Sequence, residues 1–220
     1  LYKQMKDCII ESQLLFAHNA ISNALRNANI KNSLMQYGYD DATIKSGRTL
    51  YEEAQTLHKI QIREYGEQLF VTDALVQSRA ESNVLYLKHI KLARIALKEN
   101  PDTIEVLWLS QACQCSLFGW IDRVSRFYHK LLSDSIVIRT ALDRIGLLPE
   151  ILHDGLRRVK TVEKSLNEQI KKGGVAHNMT KNRDQAFDEM NAWVTDFAEV
   201  ASIALESKPQ YLEMLGLCHR

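Results

Sequence analysis

Ile95-Ala96-Leu97-Lys98-Glu99-Asn100-Pro101-Asp102-Thr103-Ile104-Glu105-Val106-Leu107-Trp108-Leu109 is matched, 108 residues later, by Ile203-Ala204-Leu205-Glu206-Ser207-Lys208-Pro209-Gln210-Tyr211-Leu212-Glu213-Met214-Leu215-Gly216-Leu217. Seven of the fifteen positions are identical. The same offset holds upstream without a gap: Gly38 falls on Gly146, Gly47 on Gly155, Gln61-Ile62 on Gln169-Ile170, Gly66 on Gly174 and Thr72 on Thr180. From Leu34/Leu142 to Leu109/Leu217 there are 18 identities in 76 pairs, where ordinary residue usage gives about 5 by chance. A period this long exceeds a solenoid repeat and has the length of a small domain. The expected organisation is therefore two units, 1–110 and 111–220, joined near Ser110–Cys115.

The apolar period is helical. Tyr86, Ile90, Ala93 and Leu97 step by four, three and four, and Val194, Ala198, Ala201 and Leu205 repeat the pattern. The neighbouring row Leu85, His89, Leu92, Ala96, set against Trp193, Phe197, Val200, Ala204, widens the face enough to pack on two neighbours. Pro101 and Pro209 stop this helix and open a short one. The preceding helix is expected to start near Asp40-Asp41, or at Pro149, and to end at Gly66 or at Gly173-Gly174. Thr72 and Thr180 then read as caps of the helix that follows. Before these lie a first helix (about Asp7–Arg26; Leu117–Leu132) and a shorter one ending at Gly38 or Gly146, the second capped by Asp134. The fold class expected is all-α, two tandem antiparallel four-helix bundles related by an internal duplication.

In the second unit, Trp120-Ile121, Phe127-Tyr128, Leu131-Leu132, Gly146, Trp193-Val194-x-Asp196-Phe197, Ile203-Ala204-Leu205 and Pro209-Gln210-x-Leu212-Glu213-x-Leu215-Gly216 form a pattern. It resembles an uncharacterised bacterial family over nearly the whole chain. The resemblance implies tandem four-helix bundles and brings no catalytic residues or activity. The first unit departs from it, with Leu85 and His89 in place of Trp and Phe.

Composition narrows the function classes. The chain has 220 residues, 45% hydrophobic and 25% charged, with a formal net charge of +1. That balance supplies no global field for nucleic acid or an anionic membrane. No apolar run reaches membrane-spanning length, and no signal peptide is expected from the opening residues. Cys8, Cys113, Cys115 and Cys218 have no matched partners between the copies, so the expected setting is reducing and cytoplasmic.

The repeat also tests each chemical candidate against its twin. A di-iron bundle needs two Glu-x-x-His motifs; only Glu150-Ile151-Leu152-His153 exists, opposite Ala42 and Lys45. Cys113-x-Cys115 with Cys218-His219 lacks zinc-site spacing. Arg157, Arg158, Lys160, Lys164, Lys171 and Lys172 read as a solvated face, interrupted by Glu163 and Glu168. Trp120, Trp193, Phe127 and Tyr128 read as core, and Trp108 as a packing residue at the joint. No glycine-rich phosphate loop and no nucleophile–base grouping emerges.

What survives is a pair of inward histidines, His58 and His89, where the second copy has Leu166 and Phe197. A turn near Asp73 would fold them to similar depth, with His18 as a possible third ligand. They are the candidate ligand-binding residues; no catalytic residue, metal site or cofactor is assigned. The leading expectation is a non-enzymatic helical scaffold or protein-interaction module, with a protein partner or self-association and without nucleic acid or membrane. The alternative is a small-ligand or metal-binding bundle with a polar pocket in the first unit. Inward oddities favour the ligand, outward ones the partner.

Overall fold

The computed structural model describes residues 2–99, 116–133 and 135–217, with side chains from Cys8 onward. Among these residues are seven helices and no strand: α1 (Tyr2–Arg26), α2 (Ala28–Met35), α3 (Asp41–Ala96), α4 (Leu117–Leu131), α5 (Ile136–Asp143), α6 (Pro149–Ala204) and α7 (Pro209–Met214). The expected terminal helix after Pro101, the cap Asp134, Trp108 and the residues Cys113, Cys115, Cys218 and His219 lie outside the described residues.

Helix bounds recur at the sequence offset: α2 with α5, and α3 with α6, begin and end 108 residues apart. The caps recur too. Gly38 (φ +86°) and Gly146 (φ +72°) close α2 and α5 in the left-handed region, where a side chain is strained. In both, the residue after the glycine bonds back five positions, Tyr39 N–H to the Leu34 carbonyl and Leu147 N–H to the Leu142 carbonyl, as a helix terminated by such a glycine does. Asn27 caps α2 through the amides of Asn29 and Ile30, and Asp40 caps α3 by accepting from the Thr43 amide at 2.8 Å. That amide and the Thr43 hydroxyl hold the Asp40 carboxyl below the usual carboxylate range.

The long helices correct the sequence reading. Neither Gly66 nor Gly173-Gly174 ends a helix; α3 and α6 each run unbroken for 56 residues. Thr72 and Thr180 are not caps but helix-interior residues, whose hydroxyls donate to the carbonyls of Gln68 and Ala176 four residues back. The reason is the phase of the inward row. Ile44, Tyr51, His58, Tyr65, Thr72, Tyr86 and Ala93 keep one seven-residue frame, interrupted only by the exposed Arg79, and Ala54, Gln61, Gln68, Leu75, Ser82 and His89 keep the other; all but Arg79 are buried or half-buried. A glycine inside a helix costs about 1 kcal/mol, less than breaking a frame that buries a side chain every three or four residues.

The compact units are consequently not 1–110 and 111–220. One comprises Leu1–Tyr65 with Val175–Arg220, the other Gly66–Gly174. Each combines the front of one repeat with the back of the other. In the first unit, Ala20, Ile21, Ala24, Ile30, Leu34 and Ile44 pack with Phe197, Ala201, Leu205, Leu212 and Leu215. A second cluster joins Ile10, Ala17 and Ala54 to Phe187, Met190 and Val194. In the other unit, Leu75, Tyr86, Ile90 and Leu97 of the chain's first half pack with Trp120, Val124, Phe127, Tyr128, Leu142 and Leu152. Trp120, Phe127 and Tyr128 are buried as the sequence reading expects.

Candidate functional site

His58 and His89 both point inward, 6% and 2% exposed, yet the structure does not bring them together. No turn separates them, because both lie on α3, roughly nine helical turns apart. His58 belongs to the first unit and His89 to the second. The expected pair, with its turn near Asp73 and His18 as third ligand, is thereby corrected.

His89 sits on the α3 row that α4 covers. Its Nδ1 and the Tyr128 hydroxyl share a hydrogen bond of 3.0 Å, and the rings meet edge to face at 5.8 Å. Tyr128 is 1% exposed, and its ring lies over Gly155 of α6, where a Cβ would overlap it. In the other repeat these positions are Phe197, Ala20 and Gly47, and the ring over Gly47 is that of Trp193. The two units thus solve the same packing problem differently: a large ring from α6 beside a small residue of α1, or a large ring from α4 beside a histidine. The tyrosine hydroxyl and the imidazole satisfy each other, which a buried polar pair must do. Burial pushes the Tyr128 phenol up, helped by Tyr86 and Asp154. Sealed from solvent, the pair can hold geometry but cannot meet a substrate.

Burial also drives the His89 imidazole below its ordinary 6.5, with Lys88 acting in the same direction and Asp154 against it. The folded state therefore keeps His89 neutral where the unfolded chain has begun to protonate. Unfolded chains bind the extra proton, so stability falls as pH drops below about 6.5 and is level in this respect above it. Urea midpoints at about pH 7.5 and 5.5 should diverge more for the wild type than for His89→Leu; equal differences would contradict the assignment.

In the first unit, the His58 ring stands edge-on to Phe187 at 6.1 Å. One turn on, Arg183 is 4% exposed; its Nη1 donates to Gln61 Oε1 at 3.2 Å and its Nε to Asp184 Oδ1 at 2.9 Å. Arg183 escaped the sequence reading. The signal was present, since its twin is Leu75, itself buried. A buried guanidinium requires such partners, and the bond to Gln61 ties α6 to α3.

His18 lies elsewhere, in a cleft of about 210 Å³ between α1 and α3 with Ser22, Arg48, Tyr51, Glu52 and Gln55. Gln55 Nε2 donates to the Tyr51 hydroxyl at 2.6 Å and Arg48 Nε to Glu52 at 3.1 Å. This volume is below that of ordinary ligand pockets. The second unit has a cleft of about 250 Å³ lined by Leu132, Leu142 and Leu152 with Arg139, Asp143 and His153 at its polar side. Leu142 and Leu152 correspond to Leu34 and Ile44, on which Leu212 and Leu215 pack in the first unit. An apolar surface at this place serves packing there.

Glu150 and His153 are exposed on the first turns of α6. Arg157 and Arg158 share Asp154 and Lys172 pairs with Glu67, while Lys160, Lys164 and Lys171 are exposed. Cys8 is free and exposed. Among the described residues, no three His, Cys, Asp or Glu side chains gather as a metal site, and no helix is long and apolar enough to cross a membrane. Comparison with protein-family models, with curated proteins and with solved structures gives no match in any of the three.

Proposed function

We propose that the protein is a non-enzymatic helical scaffold that engages a protein partner through the outer face of α3 in the second unit. The observation that carries this reading is an outward asymmetry. Leu69, Phe70, Val76, Val84 and Leu87 are all exposed, Phe70 at 75% and Val84 at 71%. Their twins on α6 are His177, Asn178, Asp184, Ala192 and Thr195, a surface with little apolar area. One copy of the repeat thus presents an apolar face where the other presents polar or smaller residues. Clustered exposed apolar side chains mark interaction surfaces, and an apolar row at helical spacing suits the apolar face of a partner helix.

Three further elements of the reading follow from sequence. A duplicated ancestral unit of about 100 residues accounts for helix bounds that recur at 108 positions. A cytoplasmic setting accounts for thiols unmatched between the copies. A charge of +1 gives no reason to invoke nucleic acid.

The test is capture from extract of the native host with wild type and with Phe70→Asp/Val84→Asp. Both positions are exposed, so the variant should melt within about 2 °C of wild type. A protein retained by the wild type and lost from the variant supports the reading; identical retention by both contradicts it. The competing reading, a small-ligand protein, would use the His18–Tyr51–Gln55 cleft, whose volume is below that of ordinary ligand pockets.

A further inference from the structure

The first unit is built from two stretches, 1–65 and 175–220, separated by the whole second unit. The chain passes between units at Tyr65–Gly66 and at Gly174–Val175, both times inside an unbroken helix. Gly66 and Gly174 are repeat twins. Beyond the backbone of its own helix, neither has a neighbour within 4 Å of where a Cβ would stand, and neither takes a left-handed φ. Packing and backbone geometry therefore give no reason for glycine at either crossing. The inward row thins there as well: Tyr65, Gln68 and Thr72 on α3, with Gly173, Ala176 and Thr180 on α6, include no large aliphatic side chain. Away from the crossing, the two stretches are held firmly. Ile44 and Leu34 pack with Phe197, Leu212 and Leu215, Arg183 donates to Gln61, and Asn29 Nδ2 donates to the Tyr211 hydroxyl at 3.0 Å.

We propose that this internal interface also fits a second copy of the chain, the 1–65 stretch of one copy pairing with the 175–220 stretch of another. Every contact between the stretches is available in trans with no new surface, the condition under which exchange of identical elements makes dimers at low cost. Only the path of the chain at the crossings changes, and glycine there places the least restriction on it. Within one chain the two ends face each other at an effective concentration on the order of millimolar. Self-pairing therefore prevails in dilute solution, and exchange appears when the chain folds at concentrations approaching that value.

Two full-length populations carrying different affinity tags distinguish exchange from surface association. Refolded together from denaturant at about 300 µM, they should give mixed-tag dimers at least about tenfold more abundant than after refolding at ~1 µM. Populations folded separately and then mixed should give none, because exchange requires the units to open. Monomers alone at both concentrations would overturn the proposal. Mixed-tag dimers formed as readily from the folded populations would also overturn it, by showing association through an outer face.

Discussion

Gly155→Ala and Gly47→Ala are expected to destabilise the protein, whereas the same change at Gly66 or Gly174 is expected to stabilise it. All four glycines lie inside long helices with helical backbone, so propensity alone favours alanine at each by about 0.5–1 kcal/mol. Surroundings decide the sign. At Gly155 the new methyl would overlap the Tyr128 ring, at Gly47 that of Trp193. Tyr128 cannot swing aside, being 1% exposed, bonded to His89 and set edge-on to Phe127 at 5.1 Å. Trp193 is stacked on Phe197 at 5.2 Å with the rings 11° from parallel, and Tyr39 meets its edge. Overpacking of this kind costs about 1–3 kcal/mol, which outweighs the propensity gain. At Gly66 and Gly174 nothing beyond the helix's own backbone stands within 4 Å and the gain is realised in full. Urea titrations of the four single variants give the test. Midpoints should fall for Gly47 and Gly155 and rise for Gly66 and Gly174; a rise at Gly155 would show that the ring is not pinned as described.

These four glycines also show where the sequence could be read and where it could not. Their twin spacing, Gly47 with Gly155 and Gly66 with Gly174, is visible in the sequence and locates the repeat. Gly66 reads as a helix stop by its residue type alone. The contrary signal was the seven-residue frame, which passes from His58 through Tyr65 and Thr72 to Tyr86 without a shift of phase; a hairpin would have broken it. Comparison of twins identifies His58 and His89 as inward polar residues, and both are buried. The same comparison, applied to Arg183 against Leu75 and to Tyr128 against Ala20, points to the partners that matter for each unit's core. What twins cannot reveal is which front half meets which back half. The halves of the two repeats present the same rows at the same spacing, so pairing within a repeat and pairing across repeats satisfy one apolar pattern equally well. That choice settles whether His58 and His89 share a bundle, and it lies in the continuity of α3 and α6.

Cutting the chain between its two repeats asks which pairing holds. A protease site introduced between Gln111 and Ala112 divides the protein into fragments that each contribute to both compact units. Separating them would require unfolding both cores: Ile44 leaving Phe197 and Leu212 in one, Tyr86 and Ile90 leaving Phe127 and Tyr128 in the other. The cleaved protein should therefore elute from gel filtration in native buffer as one species of about the uncut mass, 25.3 kDa, and fall apart only in denaturant. Two fragments that separate in native buffer, each folded and of about half that mass, would mean that each repeat closes on itself, and would contradict the interleaved fold.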